Sequence, residues 1–199
     1  MRRSVHSVAA SLGAEVIASI APIMVPPESV TAALLHDIGK LVLGRFLTPD
    51  LLQAIADARV EDERSEVQAE LDVLGVHHGE LGGLLCRHWG LPDRVATAVT
   101  YHHAPDKVAD VVCDTVHLAN IAARMIDVPA GAPANASPPS AGALQRLGLN
   151  EDGVERICKH VARRFDDVSA RYAAVVVPTQ EAAVRRTTPG VLASPGHAR

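Results

Sequence analysis

The chain has 199 residues, with 19 basic and 23 acidic side chains and a formal net charge of −4 when histidine is neutral. This length suits one domain, or one domain with an appendage, and the 48% hydrophobic content argues against an intrinsically disordered protein. The charge balance argues against a nucleic-acid-binding protein that relies on bulk positive charge, and no segment reaches the roughly 18 consecutive apolar residues of a membrane span.

Helical periodicity dominates the sequence, and strand-forming runs are scarce. Helices are predicted over 3–20, over 28–47 with a bend at Gly39 or Gly44, from Thr48 onward, over 61–74 and 78–89, from Pro92 to about His103, over 110–126, and from 151 to about 174. The pattern predicts an all-α fold, with one helical bundle domain over residues 1–175 and a disordered tail over 176–199. A Pro/Ala/Gly/Ser-rich segment, 127–142, is predicted to be a mobile loop, and 144–149 a short link.

The three cysteines, Cys86, Cys113 and Cys158, are single and widely spaced. An odd count without CxxC pairs argues against both a disulfide framework and a thiolate zinc site. We interpret them as small buried residues of helices, and we predict a reducing, cytoplasmic setting for the protein.

Asp37 is the first residue that points to chemistry. It falls on the apolar face of its predicted helix, together with Leu34 and Leu41. A carboxylate on such a face is costly unless it is paired or binds a metal ion. His36 precedes it, so that one helix turn offers an imidazole and a carboxylate to a cation. For an isolated pair of this kind, a structural ion pair with Lys40 or an arginine would be the better interpretation.

The His36–Asp37 pair is not isolated, because three further predicted helices bring a histidine to the side that the periodicity indicates is packed. These histidines are His6, His78, and His102 or His103. A protein core gains little from gathering imidazoles that take up a proton near about pH 6.5. Imidazole and carboxylate together suit Fe, Mn, Zn, Ni or Co better than Ca or Mg alone. The pattern therefore predicts a site for divalent transition metal.

Small residues follow His6 at helical spacing, namely Ala9, Ala10 and Gly13, and they would let another helix approach closely. The other five histidines are predicted to be incidental, as helix-end, solvated or tail residues. They are His77, His88, His117, His160 and His197.

The order of these residues resembles that of the HD superfamily of metal-dependent phosphohydrolases. The flanking strings are closer still to the HD-related output domain, HDOD: AALLHDIGKLVLGRF (32–46), LGVHHGELGGLLCRHWGLP (74–92) and VTYHHAPD (99–106). VHLANIAARMI (116–126) and LQRLGLNEDGVERI (144–157) are similar to later elements of that family, so that the resemblance covers about residues 3–172. It implies a helical bundle with one or two metal ions.

The resemblance also implies a ligand set. His6, His36, Asp37 and Asn120 would hold one ion, and Asp37, His78, His102 and His103 would hold the second, with Asp37 as the bridge. Catalytic members of the superfamily carry an aspartate at the position of Asn120, which is a neutral and poorer ligand. Asp114 is an unsuitable substitute, because it lies six residues earlier, about 120° round the helix.

Phosphate-ester hydrolysis is the reaction that the resemblance implies, with Asp37 and Lys40 as catalytic residues. Lys40 would contact a phosphate as a point charge, or would instead form a salt bridge with Asp37 or lie in solvent. Glu70 or Glu80 could orient a ligand imidazole, although a surface carboxylate is the favoured interpretation of each.

Three functions stay open at this point. They are an HDOD signalling module that retains its metal site with weak or absent catalysis, an active phosphohydrolase on a nucleotide or other phosphate ester, and a non-catalytic interaction domain without metal. The HHExxDGxGYP string of cyclic-di-GMP phosphodiesterases is not found. HDOD proteins usually carry another helical half before the equivalent of His6, and we expect that half to be missing here. We therefore expect a signalling partner or a homodimer, and neither nucleic acid nor a membrane.

Overall fold

The structure, a computed structural model, describes residues 2–61, 65–127 and 138–176. The predicted mobile loop, 127–142, lies mostly outside these ranges, and the predicted disordered tail, 176–199, lies outside them after its first residue. The mobility of residues 127–142 and the disorder of residues 176–199 therefore stay predictions.

All regular structure in these ranges is helical, which confirms the predicted all-α class. The helices in chain order are α1 (Arg2–Ile20), α2 (Glu28–Leu35), α3 (Ile38–Phe46), α4 (Pro49–Glu61), α5 (Glu66–Leu74), α6 (His78–His88), α7 (Asp93–Tyr101), α8 (Val111–Asp127), α9 (Ala141–Leu147) and α10 (Glu151–Val176), with a short 3-10 turn (Pro105–Lys107) before α8.

The predicted helix over 28–47 is two helices, and the break lies at Asp37 rather than at Gly39 or Gly44. Asp37 has φ −100° and ψ 12°, outside the helical range, and it is the residue that precedes α3. The bend was therefore predicted at the wrong residues. Gly39 is needed instead for a close contact with α6.

Two serine caps shift other helix boundaries from the predicted ones. The Ser65 hydroxyl accepts a hydrogen bond from Gln68 N at 3.2 Å, and α5 begins directly after this serine. The Ser140 hydroxyl accepts a hydrogen bond from Ala143 N at 3.1 Å, so that a helix begins where a loop and a short link were predicted. Each hydroxyl satisfies a backbone N–H that the first helical turn leaves without a partner.

Helix α8 lies at the centre of the bundle, where it contacts α1, α2, α7 and α9. Val112 and Val116 on this helix are fully buried. The small residues after His6 do admit a close neighbour, because a Cβ atom at Gly13 would lie 3.2 Å from Cα of Ala119 on α8. The tight α1–α8 contact brings His6 over the middle of α8.

Helices α3 and α6 cross with their backbones in contact. A Cβ atom at Gly39 would overlap the carbonyl oxygen of His78, and it would lie 2.8 Å from the carbonyl carbon of that residue and 2.9 Å from Gly82 N. Only glycine fits at such a crossing. The contact fixes the first residue of α6, His78, against the first turn of α3.

Contacts divide the chain into a unit that ends at Phe165 and a smaller unit that begins at Asp166, inside α10. The described residues of the smaller unit are all helical. The predicted domain boundary at residue 175 stays a prediction.

Among the described residues, no helix has both the length and the apolar character that crossing a membrane requires. The three cysteines are free thiols. Cys86 and Cys113 are buried and Cys158 is half-buried, as their positions on predicted helices indicated.

Candidate metal centre

Helix ends bring most of the predicted ligands to one place. His36 and Asp37 form the junction of α2 and α3, His78 is the first residue of α6, His102 caps the end of α7, and His103 follows it in a turn. These positions differ from the packed helix sides that the periodicity predicted. A side chain at a helix end can turn across the end of the helix, which lets several elements point to a common centre.

The donor atoms form two groups that share Asp37. One group contains Asp37, His78, His102 and His103, and the other contains His6, His36 and Asp37; within each group the donor atoms lie within 4.8 Å of one another. Both groups follow the division that the resemblance implied. The assignment of these residues as ligands stays a prediction.

Asp37 presents one carboxylate oxygen to each group. Its Oδ1 lies 3.4 Å from Nε2 of His78 and 3.9 Å from Nε2 of His102. Its Oδ2 lies 3.6 Å from Nε2 of His36 and 3.9 Å from Nε2 of His6. A carboxylate in this position is able to bridge two cations.

The buried imidazoles of His36 and His102 have a defined tautomer. Nδ1 of His36 donates to the Ala33 carbonyl at 2.7 Å, and Nδ1 of His102 donates to the Val99 carbonyl at 2.8 Å. A carbonyl only accepts, so in the neutral rings Nδ1 carries the proton and Nε2 carries a lone pair.

Three buried atoms at this centre have no hydrogen-bond partner within the described part of the chain. They are Nε2 of His36, Nε2 of His102 and Oδ1 of Asp37. Each unsatisfied buried polar atom costs about 1–3 kcal/mol. All three are electron-pair donors, and a cation is the partner that satisfies several such donors at once.

Glu70 orients His78, and the predicted surface position is wrong for this carboxylate. Its Oε2 accepts hydrogen bonds from Nδ1 of His78 at 2.7 Å and from the backbone N of the same residue at 2.8 Å, and Glu70 is only 4% exposed. Nε2 of His78 is thereby turned toward the centre, 3.0 Å from Nε2 of His103. Glu80, in contrast, has a 46% exposed side chain and accepts from the backbone N of His77 in the cap of α6, as expected of a surface residue.

Burial keeps the imidazoles of His36, His102 and His103 neutral. It lowers the pKa of His36 to about 4, lowers the pKa of His102 well below its ordinary value, and, with the charge of His78, lowers the pKa of His103 to about 2. Neutral imidazole is the form that binds a metal ion.

The Asp37 carboxylate is ionised. Burial alone would raise the pKa of this carboxyl, but the charges of His36 and Lys40 hold it well below its usual range. His36 carries its charge only below about pH 4, where Asp37 titrates, so that at neutral pH Lys40 is the cation beside this carboxylate. The centre therefore offers the neutral imidazoles of His36, His102 and His103 together with the negative charge of Asp37.

Asn120 lies on α8 beside His6, with its Oδ1 3.1 Å from Nε2 of that histidine. The amide is 4% exposed, so the structure brings the last predicted ligand to the centre, as a neutral group. Asp114 is not a substitute for it. Its two oxygens each lie 2.7 Å from the Arg146 guanidinium, away from the donor groups described above.

Lys40 forms the salt bridge that was one of its predicted alternatives. Its Nζ lies 3.0 Å from Oδ2 of Asp37 and 2.9 Å from Oε2 of Glu66. Burial would lower the pKa of Lys40, but these two carboxylates raise it above its usual value. A contact between Lys40 and phosphate stays a prediction. Glu66 was not predicted at this site.

His117 was predicted to be incidental, yet it supports His102. Its Nδ1 donates to the carbonyl of His102 at 2.8 Å, and its Nε2 accepts from Ser140 N at 3.1 Å. His77 accepts from Gly79 N and caps α6. Of the remaining three, His88 and His160 are exposed, and His197 lies outside the described residues.

The substitution Glu70→Gln is expected to lower the affinity of the centre for metal about 10- to 100-fold, because the amide no longer provides the charged acceptor that orients His78. A competition titration of purified protein against a chelator, with Mn²⁺ or Zn²⁺, measures this change. Glu80→Gln is the matched control on the surface. Equal affinities of the Glu70 variant and the wild type would contradict the orienting role.

An all-helical bundle that gathers five histidines around one aspartate, in this chain order, is the arrangement that the resemblance to the HD superfamily implied. A family model described as the HDOD domain matches residues 2–105, and the chain belongs to this family. The residues that match include every donor except Asn120.

Solved structures share the fold. An HDOD domain protein of unknown function from Geobacter sulfurreducens superposes with a TM-score of 0.60 at 22% identity, covering 87% of this chain and 60% of that one. A candidate signal transduction protein from Marinobacter aquaeolei VT8 gives 0.63 at 24% identity, covering 85% and 38%. A candidate phosphohydrolase from Shewanella amazonensis SB2B gives 0.58 at 17% identity, covering 81% and 62%.

A curated relative from Treponema pallidum (strain Nichols), described as an uncharacterized protein, is 29% identical over 106 residues. The match covers 50% of this chain and 20% of the relative. The chain thus spans one fifth of the length of that relative, and less than two thirds of each of the three structures.

Proposed function

We propose that the chain is an HDOD signalling domain that retains an HD-type site for one or two divalent transition-metal ions, with weak or absent catalysis. The observation that carries the proposal is the set of buried lone pairs on His36 and His102 that have no partner among the described residues and that face an ionised Asp37. A signalling role is supported by family membership and by the fold shared with a candidate signal transduction protein.

The donor chemistry fits Fe, Mn, Zn, Ni or Co, since it combines neutral imidazoles with one carboxylate. His6, His36, Asp37 and Asn120 would hold one ion, and Asp37, His78, His102 and His103 the other. When bound, such ions lower the pKa of a coordinated water and neutralise phosphoryl oxygens. Asp37 and Lys40 are the residues proposed to act on a phosphate there.

Two features support weak rather than efficient catalysis. Asn120 supplies a neutral oxygen where catalytic relatives are expected to have a carboxylate, so that one ion would be held less tightly. Among the described residues, the carboxylates of Asp37 and Glu66 hold Lys40, the residue proposed for phosphate.

An active phosphohydrolase on a nucleotide or other phosphate ester is the second candidate function. One observation favours it, namely the two groups of donors that share a single carboxylate. Paired ions held in this way stabilise both the attacking and the leaving oxygen of a phosphoryl transfer.

Elemental analysis of the purified protein tests the metal site, and we expect between one and two equivalents of transition metal per chain. Less than a tenth of an equivalent, also after incubation with Mn²⁺ or Fe²⁺, would overturn both metal-bearing functions and leave an interaction domain without metal. Turnover of a generic phosphodiester with added Mn²⁺ or Fe²⁺ then separates the two. Turnover that Asp37→Ala abolishes favours the hydrolase.

We further propose that the domain works with a signalling protein or as a homodimer, in the cytoplasm, and that it binds neither nucleic acid nor a membrane. Analytical ultracentrifugation of the purified chain tests the homodimer. A monomer at micromolar concentration leaves the separate signalling partner.

A further inference from the structure

Two cations from different helices meet one carboxylate oxygen at the rim of the centre. Nζ of Lys40 on α3 lies 2.9 Å from Oε2 of Glu66, and Nη2 of Arg124 on α8 lies 3.9 Å from the same atom. Lys40 also reaches the centre itself, 3.0 Å from Oδ2 of Asp37. An anion therefore lies between two positive charges, one of which touches the proposed bridging ligand.

Arg124 belongs to the same helix as Asn120. It lies one turn after Asn120 on α8, and Asn120 contacts His6. After burial and the charge of His78, the charge of Arg124 also contributes to the lowered pKa of His103.

We infer that Lys40 and Arg124 form a phosphate-binding pair at the rim of the centre, and that Glu66 occupies this position when no phosphate is bound. The choice of phosphate rests on the proposed function, whereas the pairing of the two cations rests on the contacts. A guanidinium binds phosphate through a fork of two N–H groups, and an ammonium binds it as a point charge. A phosphate dianion carries more charge than the single carboxylate that it replaces.

Glu66 is placed to leave the pair. Its side chain is 26% exposed, in the first turn of α5. A cavity of about 160 Å³ adjoins it, with Glu66 and Lys40 in its wall beside apolar residues such as Leu43 and Ile55. The cavity gives the carboxylate, or the organic part of a phosphate ester, a space to occupy. Glu70, one turn further along α5, is buried and fixed on His78 instead.

Titration calorimetry of the full-length chain with inorganic phosphate tests the inference, both on the protein as purified and after metal removal with a chelator. Glu66→Gln is expected to tighten phosphate binding about tenfold, because it removes the competing charge with little change of shape. Arg124→Gln is expected to weaken binding about tenfold, and Arg124→Lys, which keeps the charge but loses the fork, by less.

Two substitutions elsewhere on the surface are the matched controls. Arg94→Gln removes an arginine that pairs with Glu28 and Asp110, and Glu155→Gln removes a glutamate that pairs with Lys159. Both are expected to leave phosphate affinity within a factor of two. Circular dichroism spectra of all variants establish that they are folded.

An unchanged phosphate affinity of either Glu66→Gln or Arg124→Gln would overturn the inference. Its failure is distinct from that of the proposed function, because metal content is measured separately on the same preparations. If the purified protein contains no metal and Glu66→Gln still tightens phosphate binding, the phosphate-binding pair is supported and the metal site is contradicted. If the protein binds metal and neither substitution changes its phosphate affinity, the metal site is supported and the phosphate-binding pair is contradicted.

Discussion

Asp37→Ala is expected to remove both metal ions at once, with a loss of affinity greater than about 100-fold for each. The reason is that the two oxygens of this carboxylate serve different groups, Oδ1 beside His78 and His102 and Oδ2 beside His36 and His6. Removing a residue that orients a ligand already costs about 10- to 100-fold, and removal of a shared ligand costs more. Elemental analysis and a chelator competition measure the change.

Single-group substitutions are the control for this prediction. His36→Ala removes a donor from one group only, and His78→Ala from the other only, so that each is expected to keep about one equivalent of a protein that binds two. Thermal unfolding of the chelated proteins separates loss of metal from loss of fold. An Asp37→Ala protein that keeps its full metal content would show that this carboxylate is not the bridge.

That these histidines and Asp37 lie together could be predicted from the sequence, because their residue types are rare in an apolar core. A histidine on an apolar stripe, such as His6 or His78, is conspicuous where aliphatic residues are expected. The all-α class could be predicted from the helical spacing of apolar residues along the chain. Only long-range contacts could have overridden this local pattern.

The carboxylates of α5 could not be placed in this way. Glu66 and Glu70 belong to a highly charged amphipathic segment, in which acidic residues are ordinarily solvated. Their positions depend on tertiary contacts, those of Glu66 with Lys40 on α3 and Arg124 on α8, and that of Glu70 with His78 at the start of α6. The spacing of four residues, which puts both carboxylates on one face, was the one available signal.

The break at Asp37 also lay beyond sequence reasoning. Residues on both sides of it have the apolar spacing of one continuous helix, and no proline marks the junction. The two glycines that follow were interpreted as bends, whereas Gly39 is a contact surface in the structure. The sequence alone does not distinguish a glycine that permits a bend from a glycine that permits two helices to approach closely.

Gly39 is not a predicted ligand, yet Gly39→Ala is expected to lower both the stability of the protein and its affinity for metal. The added methyl group would overlap the His78 carbonyl oxygen and lie 2.9 Å from Gly82 N. These are backbone atoms that cannot rotate away, so α3 and α6 must separate. The overlap is expected to cost up to about 3 kcal/mol and alanine to return about 1 kcal/mol of helix propensity, so that the net loss in the free energy of unfolding is about 1–2 kcal/mol.

The same separation moves His78 away from Asp37, whose Oδ1 lies 3.4 Å from its Nε2. The affinity of the group formed by Asp37, His78, His102 and His103 for its metal ion is therefore expected to fall at least about tenfold. The group formed by His6, His36 and Asp37 is expected to keep its ion. Chemical denaturation of the chelated protein measures the stability, and a chelator competition measures the affinity. Gly44→Ala, at an exposed position on the same helix, is the control and is expected to change neither property adversely. A Gly39→Ala protein that binds metal as the wild type does would mean that the α3–α6 crossing does not set the position of His78.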